Sequence, residues 1–132
     1  MQDGCDSFCA YCVVPLVRGR SRSLPLAAAL EQARRLLEAG VFEIVVTGAD
    51  LGRYGCDLGD RVLLPRLLEG ILALGGDHRV RLSSIEHNKI DPGVLNLLGS
   101  EPRLCHVDSN GKAVAGELLL LAAEPLTMEE MP

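Results

Sequence analysis

Tryptophan is absent, and the aromatic residues are two phenylalanines and two tyrosines, 3% of the chain. Hydrophobic residues nevertheless make up 48%, so the core must be aliphatic, and general disorder is excluded. Positive charge is not in excess either. The net charge of −5 excludes a basic footprint over the whole surface and leaves room only for a local patch toward nucleic acid. The longest apolar run, "LLLLAA" after Glu117, is far short of the ~20 residues a membrane helix needs. Five cysteines are an odd number, and the few residues ahead of them do not read as a secretory leader. A disulfide framework is therefore not expected, and a reducing, cytoplasmic setting is. The 132 residues suffice for one soluble domain with its own core.

What is present is an alternation of helical and extended patterns. "SLPLAAALEQARRLLEAG" carries Ser23 and Pro25 as helix-start signals and Gly40 as a stop, with Leu26, Leu30, Ala33 and Leu37 on one face. "VFEIVVTG" follows as a buried strand ended by Gly48. The loop "ADLGRYGCDLGDR" leads to a second helix, Leu64 to Leu74, closed by Gly75 and Gly76. "HRVRLSSIE" alternates as a strand. Asp91 and Pro92 then start a third helix through Leu98, with Gly99 as its cap, and "RLCHV" is a third strand candidate. The order predicts an α/β fold with a parallel sheet, whose functional groups lie in loops at the carboxyl ends of the strands. "TGADLGRYG" and "SSIEHNKID" both fall there. From Asp108 onward no further βα unit can be placed.

The most specific local feature is "CDSFCAYC". Cys5, Cys9 and Cys12 stand at the spacing C-x3-C-x2-C. Clustered thiolates are soft ligands and favour zinc or an iron–sulfur cluster. A closed zinc site wants four ligands, and no fourth is local; His78 is the nearest histidine. A cubane cluster held by three cysteines keeps one iron open. Zinc completed by Cys56, Cys105 or a histidine, or simply buried thiols, are the alternatives.

With Tyr11 just before its last cysteine, this motif resembles the signature of the radical-SAM superfamily. The longer stretch "QDGCDSFCAYCVVPLVRGRSRS" is similar to the tRNA methylthiotransferases within it. "VVTGADLGRYG" and "RVRLSSIE" resemble the subgroup that acts on N6-threonylcarbamoyladenosine in tRNA. The likeness runs from Gln2 to about His106.

The resemblance implies a partial (β/α)6 TIM-like barrel, incomplete here, and a transferase. It makes Cys5, Cys9 and Cys12 ligands of a 4Fe–4S cluster whose fourth iron takes S-adenosylmethionine, to be cleaved with one electron from an electron donor. Such cofactors carry the hard chemistry while the protein supplies position and exclusion of water. Tyr11 is implied near the cofactor's adenine, and Thr47, Gly48 and Asp50 beside its methionyl part. Glu86, supported by Ser84, is implied at a ribose hydroxyl or the ammonium group. Family members often carry proline where this chain has His87, which reads as a surface histidine. Arg18, Arg20 and Arg22 alternate along one loop in a pattern that suits RNA phosphates, with a solvated charged loop as the alternative. Cys56 and Cys105 lack partners at motif spacing and read as ordinary thiols. Neither a membrane nor DNA is expected as a partner.

The same resemblance implies parts not found in this sequence. Only Met1 to Gly4 precede Cys5, too few for a buried strand of about five or six residues. The likeness ends near residue 107, so residues 1–107 are expected to form a partial core and 108–132 a divergent tail. A second cluster-binding domain and an RNA-binding module, which the resemblance also implies, are not expected within these residues. The expectation is a fragment that is inactive alone. Two rival readings are another radical-SAM enzyme and a non-enzymatic zinc or iron–sulfur module.

Overall fold

The computed structural model describes residues 1–59 and 62–106. Three parallel strands form its centre: β3 (Glu43–Val46), β4 (Arg79–Leu82) and β5 (Leu104–His106), in the order β3-β4-β5. Ile44 lies opposite Val80, and Val80 opposite Leu104. Alternation sends Ile44, Val46, Val80, Leu82 and Leu104 to one face, where all are buried. Three helices supply the rest of that core: α2 (Leu26–Glu38), α3 (Leu64–Leu72) and α4 (Pro92–Ser100). Ala29 and Ala33 of α2, Leu67, Leu68 and Ile71 of α3, and Val94 and Leu98 of α4 join the strands in one cluster. Fully burying each leucine or isoleucine contributes about 1.5–3 kcal/mol. On the other face Glu43 pairs with Arg81, and Val45 is half exposed.

Local signals account for the helix ends. Gly40 takes a φ of +83°, which stops α2 at little steric cost. The Asp91 carboxylate accepts the Gly93 N–H at 2.7 Å, and Pro92 occupies the first turn. Two expectations are corrected. Ser23 does not start α2, because it belongs to β2 (Arg22–Ser23) and its hydroxyl is bonded to Asp57 at 2.5 Å. Gly99 does not cap α4; the helix runs on to Ser100, whose hydroxyl donates to the Asn96 carbonyl at 2.8 Å.

The segment ahead of the cysteines is also more structured than its length suggests. β1 (Gln2–Asp3) pairs antiparallel with β2, and Gln2 makes a parallel bridge to Gly48 at the end of β3. These pairings fix the two residues of β1 to β2 and to the start of the loop after β3. A single helical turn, α1 (Val14–Val17), lies between β1 and β2. The tail expected from residue 108 lies outside the described residues. Among the described residues no helix is long and apolar enough to cross a membrane.

Candidate functional site

The cysteine loop is pinched shut at its base. Gly4 has a φ of +71°, and a Cβ there would sit 2.0 Å from the Arg20 carbonyl oxygen, so only glycine fits. The Cys5 N–H donates to the Gly19 carbonyl at 3.1 Å across the neck. Below the neck, Gln2 is buried and connects three segments. Its amide nitrogen donates to the Gly4 carbonyl and to Ser21 Oγ, both at 2.8 Å, and its amide oxygen accepts the Asp50 N–H at 2.7 Å. Gly48 makes room for this side chain: a Cβ would meet Gln2 Oε1 at 2.8 Å.

Within the loop, Cys5 is buried, Cys12 half-buried and Cys9 exposed. The Cys12 N–H donates to the Cys9 carbonyl at 3.0 Å, forming a turn. Phe8 holds a φ of +46°, the sole non-glycine residue with positive φ among the described residues. Among the described residues no three His, Cys, Asp or Glu side chains converge tightly enough to hold a metal ion. Three thiols on one loop with a closed neck still form a donor set that fits an iron–sulfur cluster. Cys56 is exposed, and Cys105 is half-buried with its sulfur 3.7 Å from the Val80 carbonyl.

Beside Cys5 lies the carboxyl end of the sheet. A cleft of about 220 Å³ there is lined by Gly48, Ala49, Asp50, Ser84, Ile85 and Glu86. The loop after β3 and the loop after β4 thus face each other. Asp50 is buried; its carboxylate accepts from Cys5 Sγ and Ser7 Oγ, each at 3.4 Å. Lys89 reaches the same carboxylate at 3.0 and 3.1 Å, and Glu86 at 2.9 Å. Burial works to lower the lysine, but the bonds from Glu86 and Asp50 outweigh it and hold its ammonium above the ordinary range. The fold therefore brings Gly48, Asp50, Ser84 and Glu86 together next to Cys5. Thr47 is exposed, and its carbonyl accepts from the Met1 nitrogen at 3.0 Å. Tyr11 is 92% exposed and does not line the cleft.

No family model matches the chain. It is 42% identical over 106 residues to the threonylcarbamoyladenosine tRNA methylthiotransferase MtaB of Thermotoga maritima, covering 80% of this chain and 24% of that protein. The MtaB of Aquifex aeolicus is 34% identical over 131 residues, 98% of this chain and 32% of the relative. The ribosomal protein uS12 methylthiotransferase RimO of Lachnoclostridium phytofermentans is 35% identical over 79% of this chain and 24% of its own length. The chain is homologous to a segment of the methylthiotransferases. It spans about a quarter of the length of the first curated relatives it matches.

Three features of this methylthiotransferase segment were not singled out from the sequence. Gln2, Ser7 and Lys89 bind the functional loops together, and only Lys89 carried a signal, as a cation in a loop after a strand. The arginine loop is partly neutralised. Arg18 and Arg22 lie 3.3 and 3.7 Å from Asp3, all three exposed, while Arg20 has no ion pair among the described residues. The Gly4 N–H and then Arg18 hold the Asp3 carboxyl below the usual range. His87 is exposed, as expected of a surface histidine.

Proposed function

We propose that this chain is the part of a tRNA methylthiotransferase that binds a 4Fe–4S cluster through Cys5, Cys9 and Cys12. S-adenosylmethionine would lie in the adjacent cleft, and N6-threonylcarbamoyladenosine in tRNA would be the substrate. The three parallel strands are then part of a partial (β/α)6 barrel. One observation carries the reading: the cleft lined by Gly48, Asp50, Ser84 and Glu86 opens beside the buried Cys5, at the carboxyl end of the sheet. When bound, the cluster supplies the electron for reductive cleavage of the sulfonium. The chain's own residues bind and orient. Asp50 and Glu86 carry carboxylates suited to an ammonium group, and Ser84 offers a hydroxyl for a ribose. Gly48 lines the same cleft and, lacking a side chain, leaves room for the buried Gln2 that holds the loop after β3 in place. Tyr11 and Thr47 are proposed at the adenine and methionyl ends. Arg20, with Arg18 and Arg22, is proposed to meet RNA phosphates; at most a few such contacts are available, and binding should weaken with salt.

The 35% identity to a ribosomal protein uS12 methylthiotransferase favours a second reading, in which the substrate is a ribosomal protein. Mass spectrometry of tRNA nucleosides and of uS12 from cells lacking the full-length gene separates the two. Loss of the methylthio group from threonylcarbamoyladenosine, with uS12 unchanged, is the expected result. Loss from uS12 alone would overturn the tRNA assignment.

A further inference from the structure

The Lys89 ammonium joins segments that are far apart in the chain. It lies 2.7 Å from Ser7 Oγ in the cysteine loop, 3.0 Å from the Asp50 carboxylate after β3, and 2.9 Å from Glu86 after β4. An ammonium has three N–H donors, and these three residues take them. Its side chain is 16% exposed and that of Asp50 4%. Water therefore competes far less here than at surface pairs such as Arg34–Glu31 on α2.

The backbone around Lys89 is fitted as closely as its charge. A Cβ on Gly52 would stand 2.7 Å from Lys89 Cβ and 2.8 Å from the Lys89 carbonyl oxygen. Only glycine at position 52 lets the single 3-10 turn His87–Lys89 come this near the loop after β3. The two residues hydrogen-bonded to the Cys5 sulfur, Ser7 and Asp50, are among the three that Lys89 holds, Ser7 through its hydroxyl and Asp50 through its carboxylate. The Ser7 N–H donates to Cys5 Sγ, and Cys5 Sγ donates to Asp50, both at 3.4 Å.

We propose that Lys89 is a positioning residue for Cys5: its ammonium ties the cysteine loop to the loops after β3 and β4 and keeps the Cys5 sulfur in its buried place. The inference rests on the functional reading only for the purpose of Cys5 as a ligand. The tie itself is a property of the chain without metal.

The test is alkylation of the reduced, metal-free chain with iodoacetamide, read cysteine by cysteine by peptide mass spectrometry. Exposed Cys9 serves as the fast reference, and half-buried Cys105 in β5 reports general unfolding. Cys5 should react more slowly than Cys9 in the unaltered chain. In Lys89→Met the Cys5 rate should rise about tenfold, as expected for loss of a hydrogen bond to a charged group, while Cys105 stays unchanged. Lys89→Arg, which keeps a cation, should restore part of the protection. Ser7→Ala cuts the same tie at its loop end and should raise Cys5 reactivity alone, even if Lys89→Met unfolds the chain. An unchanged Cys5 rate in both Lys89→Met and Ser7→Ala would overturn the proposal. So would Cys5 and Cys105 rising together in Lys89→Met with Ser7→Ala silent. Failure of the chain to take up iron would defeat the cluster reading while leaving this pattern intact, so the two failures are distinguishable.

Discussion

Asp57 accepts the Ser23 backbone N–H at 2.8 Å and the Ser23 hydroxyl at 2.5 Å, while Ser23 Oγ accepts the Gly55 N–H at 2.8 Å. This small network fastens β2 to the loop after β3, and so steadies the far end of the cysteine loop. Burial works to raise the Asp57 carboxyl, but the hydrogen bonds from Ser23 outweigh it and hold it below the ordinary aspartate range. A depressed carboxyl contributes stability above its unfolded value of about 3.9, and that contribution is lost as pH falls through the lower folded value. Urea unfolding of the chain and of Asp57→Asn, compared across pH, should show a constant difference above about pH 5 that shrinks below about pH 4. A difference that stays constant down to the acid limit would remove Asp57 from the account. At this scale the cysteine spacing was fully legible in the sequence, because three thiols on one loop need no tertiary information. Lys89 was not: its partners Ser7 and Asp50 lie 82 and 39 residues away, and only the folded chain brings them together.

At the scale of elements, the sheet and its helices were legible and the ribbon was not. α2, α3 and α4 and the strands β3 to β5 carry periodic apolar residues because each buries one face. β1 and β2 are two residues each, too short for any period, and they exist through pairing with each other and with Gly48. The end of α4 was misread for a related reason. Gly99 is a stop signal by composition, but carbonyls further back in the helix, at Asn96 and Leu97, accept from Ser100 and Glu101 and carry it past the glycine. α3 is the element on which the core depends most: Leu67 is fully buried in the cluster shared by sheet and helices. Leu67→Ala should cost about 2–5 kcal/mol, a large part of the stability of an ordinary domain, and is read as a lower urea midpoint. A change below about 0.5 kcal/mol, the size of an ordinary surface substitution, would mean that α3 does not pack as described.

For the molecule as a whole, the parallel sheet sets two loops facing each other and fixes a third beside them. The loops after β3 and β4 form the cleft, and the cysteine loop is held next to it by Gln2, Asp50 and Lys89. The same arrangement sets the cysteine loop beside the cleft proposed for the cofactor, although Cys5 and Glu86 are far apart in sequence. The most direct test is anaerobic reconstitution with iron and sulfide, followed by electron paramagnetic resonance of the reduced chain with and without S-adenosylmethionine. The account predicts about four iron atoms per chain, a reduced-cluster signal that changes when S-adenosylmethionine is added, and loss of both in Cys5→Ser. Colourless protein that takes up only zinc, or a cluster signal indifferent to S-adenosylmethionine, would contradict it.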